Sequence, residues 1–380
     1  MNRKIMIITG SRGEYGYIRP IIKNIAENDK LEYTIVATNM LLTPEFGYAI
    51  NNFCYDNIEV KYKIDMSMSG YSNSSMTKSL GVFLQSLTDI VKNDRPDIIL
   101  LAGDRGEQLI GAIVGAHMNI PVAHIQAGEL SGNIDGMSRH AITKFTHIHF
   151  ASNVDAENRL INMGEQAFRV FNTGAPQLDE FSMYKYYSRD DLYKKFNLNC
   201  NDSYCLLVQH SITEESGKSK EQMTTVLNVL ISLNIQIVLI YPNNDAGSIG
   251  ILDAIDSVNY HNMHVQRNVD RESYANLMKH ASFMIGNSSS ALLEAPTFCL
   301  PAINIGRRQN GRLQAKNVIN VEFNESCIKE AILEASSEDF KMNVKNVSNP
   351  YGDGKSSSRI VDILLNLEIN SELLNKQLTY

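Results

Sequence analysis

The stretch that decides the fold is Met284-Ile-Gly-Asn-Ser-Ser-Ser-Ala-Leu-Leu-Glu-Ala-Pro296. Its apolar run ending in Gly286 predicts a buried strand, and the Asn and Ser residues that follow are good N-caps for a helix running through Glu294. Backbone N–H groups at such a helix start, together with the helix dipole and the serine hydroxyls, bind an anion without a metal. The stretch therefore predicts a phosphate site in an α/β fold.

Two neighbouring features extend this predicted site. Glu294 lies farther along the helix, where its carboxylate can accept hydrogen bonds from both hydroxyls of a ribose. A few residues later the chain offers guanidinium groups that can neutralise phosphate, at Arg307, Arg308 or Arg312. The alternative is an ordinary strand-to-helix turn beside solvated arginines, and this stretch alone does not separate the two.

Length and composition limit the kinds of protein that this chain can be. At 380 residues it is too long for one small core, so two domains are expected, and its 43% hydrophobic and 20% charged residues are typical of soluble globular proteins. A net charge of −7 argues against nucleic acid as the main partner. The five cysteines are scattered without a CxxC pair, which indicates reduced thiols, and we see neither a signal peptide nor a membrane-length apolar run. We expect a cytoplasmic protein.

The first half of the chain alternates apolar runs with helical patterns. A strand at residues 4–9 is followed by Gly10-Ser-Arg-Gly-Glu-Tyr-Gly16 and a helix at 17–25, and another strand follows at 33–38. This order predicts a parallel sheet. The loop lacks the GxGxxG spacing, so NAD and FAD are not inferred, although Arg12 can reach a phosphate or decorate the surface. The serine-rich stretch at 65–75 is expected to be a mobile lid or a long connection.

Polar residues gather where the next strands end. Asp104 and Arg105 follow a strand at 96–103, a helix is expected at 107–117, and Glu129, Asp135 and Arg139 follow a strand at 121–125. Ligands of open α/β sheets bind at this edge, so these charges would line one cleft and offer an acid or a base. Solvent-exposed loop charges are the alternative.

Three histidines invite a metal interpretation, which we do not favour. His147 and His149 alternate within a strand-like run, while His140 precedes them, and no third ligand at zinc-like spacing follows. A packed, hydrogen-bonded histidine pair is the preferred interpretation, and no metal is predicted.

The β/α alternation restarts after a polar linker at 182–202. Strands are expected at 205–209, which delivers His210, at 235–240, which ends in an Asn/Asp turn carrying Asn244 and Ser248, and at 301–305. A glycine turn with serine caps then launches a final helix at 360–367. We predict an N-terminal domain of residues 1–178 completed by a C-terminal helix within 355–380, and a second domain of residues 179–354.

Several motifs together resemble the hydrolysing UDP-N-acetylglucosamine 2-epimerases. The resemblance runs in order along the whole chain and implies a GT-B-like α/β fold of two Rossmann-like domains with a cleft between them. The non-hydrolysing sister enzymes have Asp-Ser-Gly-Gly where this chain has Asn-Ser-Ser-Ser, which places it on the hydrolysing side. The motifs are Gly10 to Gly16, Gly103-Asp-Arg105, His124-Ile-Gln-Ala-Gly-Glu129, Arg139-His-Ala-Ile-Thr-Lys144, Gln209-His210, Tyr241 to Ser248, Gly286-Asn-Ser-Ser289 and Gly306 to Arg312.

The resemblance implies conversion of UDP-N-acetylglucosamine and water to N-acetylmannosamine and UDP, for sialic acid synthesis. A 2-acetamidoglucal forms by elimination and is then hydrated, and neither a cofactor nor a metal is needed. The same reaction on UDP- or GDP-N,N'-diacetylbacillosamine, for legionaminic acid synthesis, is an alternative. A retaining GT-B glycosyltransferase and a non-catalytic nucleotide-sugar sensor are more distant ones. A homodimer or a dimer of dimers is expected, with hinges near Pro176 and Gly352.

The resemblance also assigns roles to residues. Asp104 and Asp135 carry acid/base work, and Arg139 and His210 orient or neutralise phosphate. Many relatives have Glu where this chain has Gln126, and an amide cannot exchange a proton as a carboxylate does, so Gln126 hydrogen-bonds the sugar or Glu129 takes part of the role. The implied contacts with the nucleotide sugar are Arg12, Glu14, Arg105, Gly174, Asn244, Ser248, Ser288, Ser289, Glu294 and Arg308.

Overall fold

The computed structural model describes residues 2–44, 48–67, 73–130, 134–242, 247–267 and 269–379, apart from the side chains of residues 12, 73, 134, 135 and 213. The chain divides into two compact units. The first, here the N-terminal unit, contains Met1–Glu180 and Tyr351–Tyr380, and the second, the C-terminal unit, contains Phe181–Pro350.

A parallel sheet forms the centre of the N-terminal unit, in the order β3-β2-β1-β4-β5-β6-β7. Both faces of the sheet are covered, which explains its continuous apolar strands: Ile5 and Ile7 of β1 pack into one buried cluster, Met6 and Ile8 into another. The strands are β1 Arg3–Thr9, β2 Leu31–Thr38, β3 Tyr62–Ile64, β4 Ile98–Ala102, β5 Val122–Ala127, β6 Ile148–Ala151 and β7 Val170–Asn172.

The helices of this unit flank the sheet. Their bounds are α1 Arg12–Ala26, α2 Asn51–Tyr55, α3 Asn73–Asn93, α4 Gly106–His117, α5 Ile134–Phe145 and α6 Val154–Asn162. The 65–75 stretch lies partly outside the described residues, and its end from Asn73 onward belongs to α3 and not to a loop. α3 was missed because its serine-rich start has the composition of a connection.

The segment after residue 350 returns to the N-terminal unit. Its helix α14, Ser356–Asn366, packs against α1, and a shorter helix α15, Ser371–Leu374, follows. The helix starts four residues earlier than predicted, because a remote carboxylate caps it: Asp179 accepts from the N–H groups of Ser356 at 3.0 Å and Ser357 at 2.6 Å. No pattern within the 349–359 turn encodes that partner.

The C-terminal unit repeats the plan with the order β10-β9-β8-β11-β12-β13, again all parallel. Its strands are β8 Tyr204–Val208, β9 Gln236–Ile240, β10 Met263–Gln266, β11 Phe283–Gly286, β12 Ala302–Ile305 and β13 Val318–Val321. Its helices are α7 Arg189–Lys195, α8 Ser219–Ser232, α9 Ser248–Asp256, α10 Arg271–His280, α11 Ser290–Leu293, α12 Glu325–Ser336 and α13 Glu338–Val344. Among the described residues, no helix combines the length and apolar character that a membrane crossing requires.

Candidate active site

Asp104 stands at the carboxyl end of β4, directly after Gly103, whose φ of +87° turns the chain out of the strand. Arg139 of α5 is only 3% exposed and donates from Nη2 to the Asp104 carboxylate. Its Nη1 donates to the carbonyl oxygen of Gln126 at 2.5 Å. Arg139 therefore ties the end of β4 to the end of β5 through a charge-assisted pair. The expected meeting of Asp104 and Arg139 is found, with Gln126 as the third member.

Gln126 adopts a left-handed backbone, with φ +58°, at a register shift of the β5–β6 pair between Ile125 and Ala127. A β-bulge of this kind re-aims a side chain at the end of a strand. Left-handed backbone is strained in a glutamine, and functional sites are one place where such strain is retained. The side-chain amide lies 3.4 Å from Oε1 of Gln177. An amide here can orient a ligand but cannot take its proton.

Glu129, the other carboxylate proposed for this position, is buried and bonded within the protein. Its Oε1 accepts from Nδ2 of Asn153 at 2.5 Å, and Asn153 in turn caps α6 by accepting from the N–H of Ala156. Asn153 thus holds the Glu129 loop against the start of α6. The side chain of Asp135, in the first turn of α5, lies outside the described part of the chain.

Glu14 closes a capping box at the start of α1. Its Oε2 accepts from the N–H groups of Gly10 at 2.6 Å and Ser11 at 3.2 Å, while its own N–H donates to the Ser11 hydroxyl. Burial, and then the neighbouring charge of Glu107, raises the pKa of Glu14 to about 8. The contact of Glu14 with substrate stays a prediction, and in this structure the carboxylate shapes the Gly10 loop.

Two further residues support the same edge of the sheet. Arg105 is the half-buried N-cap of α4, and its charge also acts on Glu14. Nε2 of the fully buried His124 lies 2.6 Å from the carbonyl oxygen of Gly103 and donates to it, which fixes the turn before Asp104. Burial lowers the pKa of His124 to about 3, so the ring is neutral. The sequence placed His124 in a motif but gave it no role. Its burial and its hydrogen bond to Gly103 show that it supports the turn before Asp104.

Gly174 serves a close approach between segments of the N-terminal unit. Its φ is +87°, and a Cβ on it would lie 3.1 Å from the carbonyl oxygen of Tyr351 and 3.3 Å from Cα of Gly352. Ser356 donates to its carbonyl oxygen at 2.7 Å. Gly174 therefore joins the end of β7 to the returning segment, and its contact with substrate remains a prediction.

In the C-terminal unit, Asn287 binds the backbone of His210 twice. Its Oδ1 accepts from the His210 N–H and its Nδ2 donates to the His210 carbonyl oxygen, both at 2.8 Å. Gly286 makes this possible, because a Cβ there would lie 2.2 Å from the carbonyl oxygen of Val208. The ends of β8 and β11 thus converge, and His210 is held beside residues 288–290, here called the serine loop. From the sequence, Asn287 was predicted only as a helix cap. Its position directly after the glycine that ends a strand is the sequence feature that could have indicated its binding to a neighbouring strand end.

The serine loop is arranged differently from the prediction. Ser289 occupies the N-cap position of α11 with helical backbone and makes no capping side-chain bond, and α11 is a single turn. The hydroxyl of Ser288 is buried and accepts from the Ser290 N–H at 3.3 Å. Binding of a phosphate here stays a prediction, and the loop would offer it N–H groups and hydroxyls with only a small helix dipole.

The arginines after β12 have separate partners. Arg308 donates from Nη1 to the carbonyl oxygen of Asn287 at 3.3 Å, which brings it to the serine loop, and Gln309 binds the same oxygen at 2.9 Å. Arg307 instead pairs with Glu215, and Arg312 donates to Gln309 at 3.2 Å. Arg308 is thus a candidate arginine that the structure brings to the loop.

Glu294 follows α11 and is 6% exposed. Its Oε1 accepts from Nη1 of Arg271 at 2.8 Å, whereas its Oε2 is buried without a hydrogen-bond partner among the described residues. A buried carboxylate oxygen left unbonded is costly, and it suits a ligand that brings hydroxyl donors. Ser248 begins α9 after Gly247, whose φ is +95°, and Asn244 lies outside the described residues, as does the side chain of Arg12.

The histidines behave as packed residues. Nδ1 of His147 accepts from the N–H of Val122 at 3.1 Å, and Nε2 of His149 meets Glu165 at 2.9 Å. Burial lowers the pKa of both rings to about 4. His140 is half-buried on α5. Across the described ranges, His, Cys, Asp and Glu side chains form no group of three that could hold a metal ion.

The sequence of this chain matches a known protein family and several of its members. The model of the UDP-N-acetylglucosamine 2-epimerase family matches residues 23–365. A UDP-N,N'-diacetylbacillosamine 2-epimerase (hydrolyzing) of Legionella pneumophila is 35% identical over 99% of both chains, and a UDP-N-acetylglucosamine 2-epimerase of Neisseria meningitidis is 30% identical over 96% of both.

The fold is also that of solved structures. The crystal structure of UDP-GlcNAc 2-epimerase from Neisseria meningitidis bound to UDP-GlcNAc matches with a TM-score of 0.82 at 20% identity, covering 95% of this chain and 99% of that one. This likeness confirms the predicted GT-B-like α/β class. Since the family model and the relatives each span most of the sequence, this chain belongs to the UDP-N-acetylglucosamine 2-epimerase family.

Proposed function

We propose that this protein is a hydrolysing 2-epimerase, which releases UDP and a free 2-epimerised acetamido sugar from a UDP-linked 2-acetamido sugar. The observation that carries the proposal is the Arg139 pair, which fixes Asp104 beside Gln126 at the carboxyl end of the sheet. The proposal includes a cytoplasmic homodimer, as the family resemblance implies.

The reaction proposed for these residues begins with cleavage of the C1–O bond, and UDP departs with the electron pair. A carboxylate removes the C2 proton, which leaves a glycal with a C1–C2 double bond. Water then adds its hydroxyl to C1, and a proton enters C2 on the opposite face. Asp104 and Asp135 are the proposed proton carriers. Arg139 holds the Asp104 carboxylate in position through a charge-assisted hydrogen bond, and Gln126 orients the acetamido sugar.

We assign binding of the departing UDP to residues of the C-terminal unit. Departing diphosphate needs hydrogen-bond donors and positive charge, and Arg308, His210 and the serine loop supply both. The unbonded Oε2 of Glu294 is proposed to accept from the ribose, while Arg271 holds the other oxygen. Ser289, Ser248, Asn244, Arg12 and Arg105 complete the proposed nucleotide-sugar contacts.

Two sugars are candidates for the substrate. UDP-N-acetylglucosamine is favoured by the motifs, and its product would be N-acetylmannosamine, the precursor of sialic acids. UDP-N,N'-diacetylbacillosamine is supported by the 35% identity to the Legionella relative, against 30% to the Neisseria relative. The GDP-linked form is a third option. The two sugars differ at C4 and C6, away from the diphosphate, so the same catalytic assignment serves either.

The test is a substrate panel in heavy water, followed by NMR without an acceptor. Free UDP and a reducing sugar carrying deuterium at C2 are expected for one of the sugars. A 2-epimerised sugar still attached to UDP would instead indicate the non-hydrolysing reaction, and turnover only with an acceptor would indicate a glycosyltransferase.

A variant pair tests the role of Asp104. Asp104→Asn should abolish UDP release while UDP binding stays near normal. Asp56→Asn is the matched control, because Asp56 also pairs with an arginine, Arg19, within the N-terminal unit but away from the strand edge. Retained turnover in Asp104→Asn would remove Asp104 from the mechanism.

A further inference from the structure

A buried ionic cluster surrounds Glu165, which is 1% exposed. Its Oε2 lies 2.5 Å from Nζ of Lys376 and 2.9 Å from Nε2 of His149, and its Oε1 lies 3.1 Å from Nζ of Lys144. Burial alone would raise the pKa of Glu165, but the hydrogen bonds from His149 and Lys376 and the charge of Lys376 lower it to about 2. The carboxylate is therefore ionised and holds these partners in place.

Lys376 has a second set of contacts, at the end of α5. Its Nζ donates to the carbonyl oxygens of Thr143 at 2.5 Å and Thr146 at 2.8 Å. The last carbonyls of a helix have no partner within the helix, and a cation there also complements the helix dipole. Lys376 thus caps α5 from a distant part of the chain.

The capped helix is the one that carries the candidate chemistry. Arg139, four residues before Thr143, holds Asp104 and the carbonyl of Gln126, and the hydroxyl of Thr143 donates to the Arg139 carbonyl oxygen at 3.1 Å. A shift of α5 along its axis would move the Arg139 guanidinium away from both partners. The position of Arg139 therefore depends on how firmly the end of α5 is fixed.

Other contacts place Lys376 without touching α5. Arg169 donates to the carbonyl oxygens of Glu372 and Leu373, each at 2.7 Å, and the N–H of Thr379 donates to Gly164 at 3.1 Å. Leu373 is 3% exposed and belongs to the core of the N-terminal unit. The 370–379 segment is consequently anchored on both sides of Lys376, so that its ammonium group reaches α5 from a fixed base.

We propose that Lys376 is a positioning residue for the epimerase site, which fixes α5 so that Arg139 can hold Asp104 and Gln126 in their reactive arrangement. The proposal rests on the proposed function for its catalytic consequence. The anchoring of α5 itself is a property of the N-terminal unit and can be measured without turnover.

The test compares Lys376→Met with Lys61→Met in the full chain. Lys61 also forms an ion pair within the N-terminal unit, with Asp94 at 2.7 Å, but both of these residues lie outside α5, so Lys61→Met is the control. We expect Lys376→Met to lower kcat at least tenfold, with KM for the nucleotide sugar changed less than threefold. Lys61→Met should keep kcat within about twofold, and Lys376→Arg, which retains the charge, should recover part of the loss.

Hydrogen exchange of the α5 amides is the readout that does not need activity. Exchange in residues 134–145 should accelerate at least tenfold in Lys376→Met and remain unchanged in Lys61→Met. Unchanged kcat in Lys376→Met, or equal losses in both variants, overturns the proposal, since the second result would mean that losing any ion-paired lysine of the unit has the same effect as losing the cap. If the wild-type protein is inactive on every sugar of the panel, the proposed function fails, and the exchange comparison alone decides whether Lys376 anchors α5.

Discussion

Replacing Asn287 tests how the C-terminal unit builds its part of the site. Its side chain is fully buried, and its amide makes both a donor and an acceptor bond with the backbone of His210 at 2.8 Å. Alanine removes both of these bonds, while the His210 carbonyl oxygen keeps a 3.4 Å contact with Nε2 of Gln209. At about 1–2 kcal/mol for each bond lost from this buried site, Asn287→Ala should destabilise the unit by about 2–4 kcal/mol.

Asn287→Asp separates the two bonds. Aspartate keeps the acceptor but places a second oxygen where Nδ2 donated, facing the His210 carbonyl. Burial and this repulsion raise the pKa of the introduced carboxyl above its usual value of about 4, so the folded state binds a proton more tightly than the unfolded state. The destabilisation caused by Asn287→Asp should therefore be largest at neutral pH. It should diminish as the pH falls through the raised pKa, because the protonated carboxyl can again donate to the His210 carbonyl oxygen.

The assay combines thermal unfolding at several pH values with calorimetric titration of UDP. A loss of 2–4 kcal/mol in a unit of this size corresponds to about 5–15 °C in Tm. UDP affinity should fall at least tenfold in Asn287→Ala, because the His210 loop separates from the serine loop.

The matched control is Asn276→Ala. Asn276 is equally buried in the C-terminal unit, and its amide also binds backbone groups of a neighbouring segment, at Lys185 and Tyr187. Its replacement should lower Tm with little change in UDP affinity. A change below about 0.5 kcal/mol in Asn287→Ala, or equal losses of UDP affinity in both variants, would refute the reasoning.

Three further predictions concern stability. Gly286→Ala should cost at least about 3 kcal/mol, because its φ is +125° and its Cβ would lie 2.2 Å from a carbonyl oxygen, whereas Gly217→Ala, with no atom within 4 Å, should change Tm by less than 2 °C. Asp179→Asn should destabilise the start of α14 by about 1–3 kcal/mol and speed proteolysis within residues 351–380, and an unchanged cleavage rate would contradict this. As the pH is lowered, the free energy of unfolding should fall by about 2.4 kcal/mol per pH unit near pH 5.5, because three buried rings take up protons on unfolding while Glu14 releases one. A flat urea-unfolding profile from pH 7 to 5 would contradict the assignment to His124, His147 and His149.

Local patterns in the sequence predict the parts of this fold that local forces determine. Apolar runs such as residues 4–9 and 96–103 predict strands because a parallel sheet buries both of its faces. Asp104 and Arg139 were placed together from the rule that strand ends share one edge of a sheet, and their ion pair confirms that they meet.

Contacts between distant segments could not be predicted from the sequence. The pairing of Glu129 with Asn153, the capping of α14 by Asp179 and the binding of His210 by Asn287 each join side chains to partners that no spacing rule connects. The left-handed backbone of Gln126 could not be predicted either, because it accompanies a register shift beside β6 that the sequence does not indicate. Such contacts arise from packing, and a pattern of residue types does not encode them.

The return of residues 351–380 to the N-terminal unit has a consequence for synthesis on the ribosome. The first 180 residues emerge early, but part of the apolar face of α1 lacks its cover until α14 has left the exit tunnel, whereas residues 181–350 form a continuous segment that contains its whole sheet. The later-synthesised unit can therefore fold while the earlier one is still incomplete. A nascent chain stalled at residue 350 should expose a hydrophobic surface on the unit that was made first and become a substrate for chaperones.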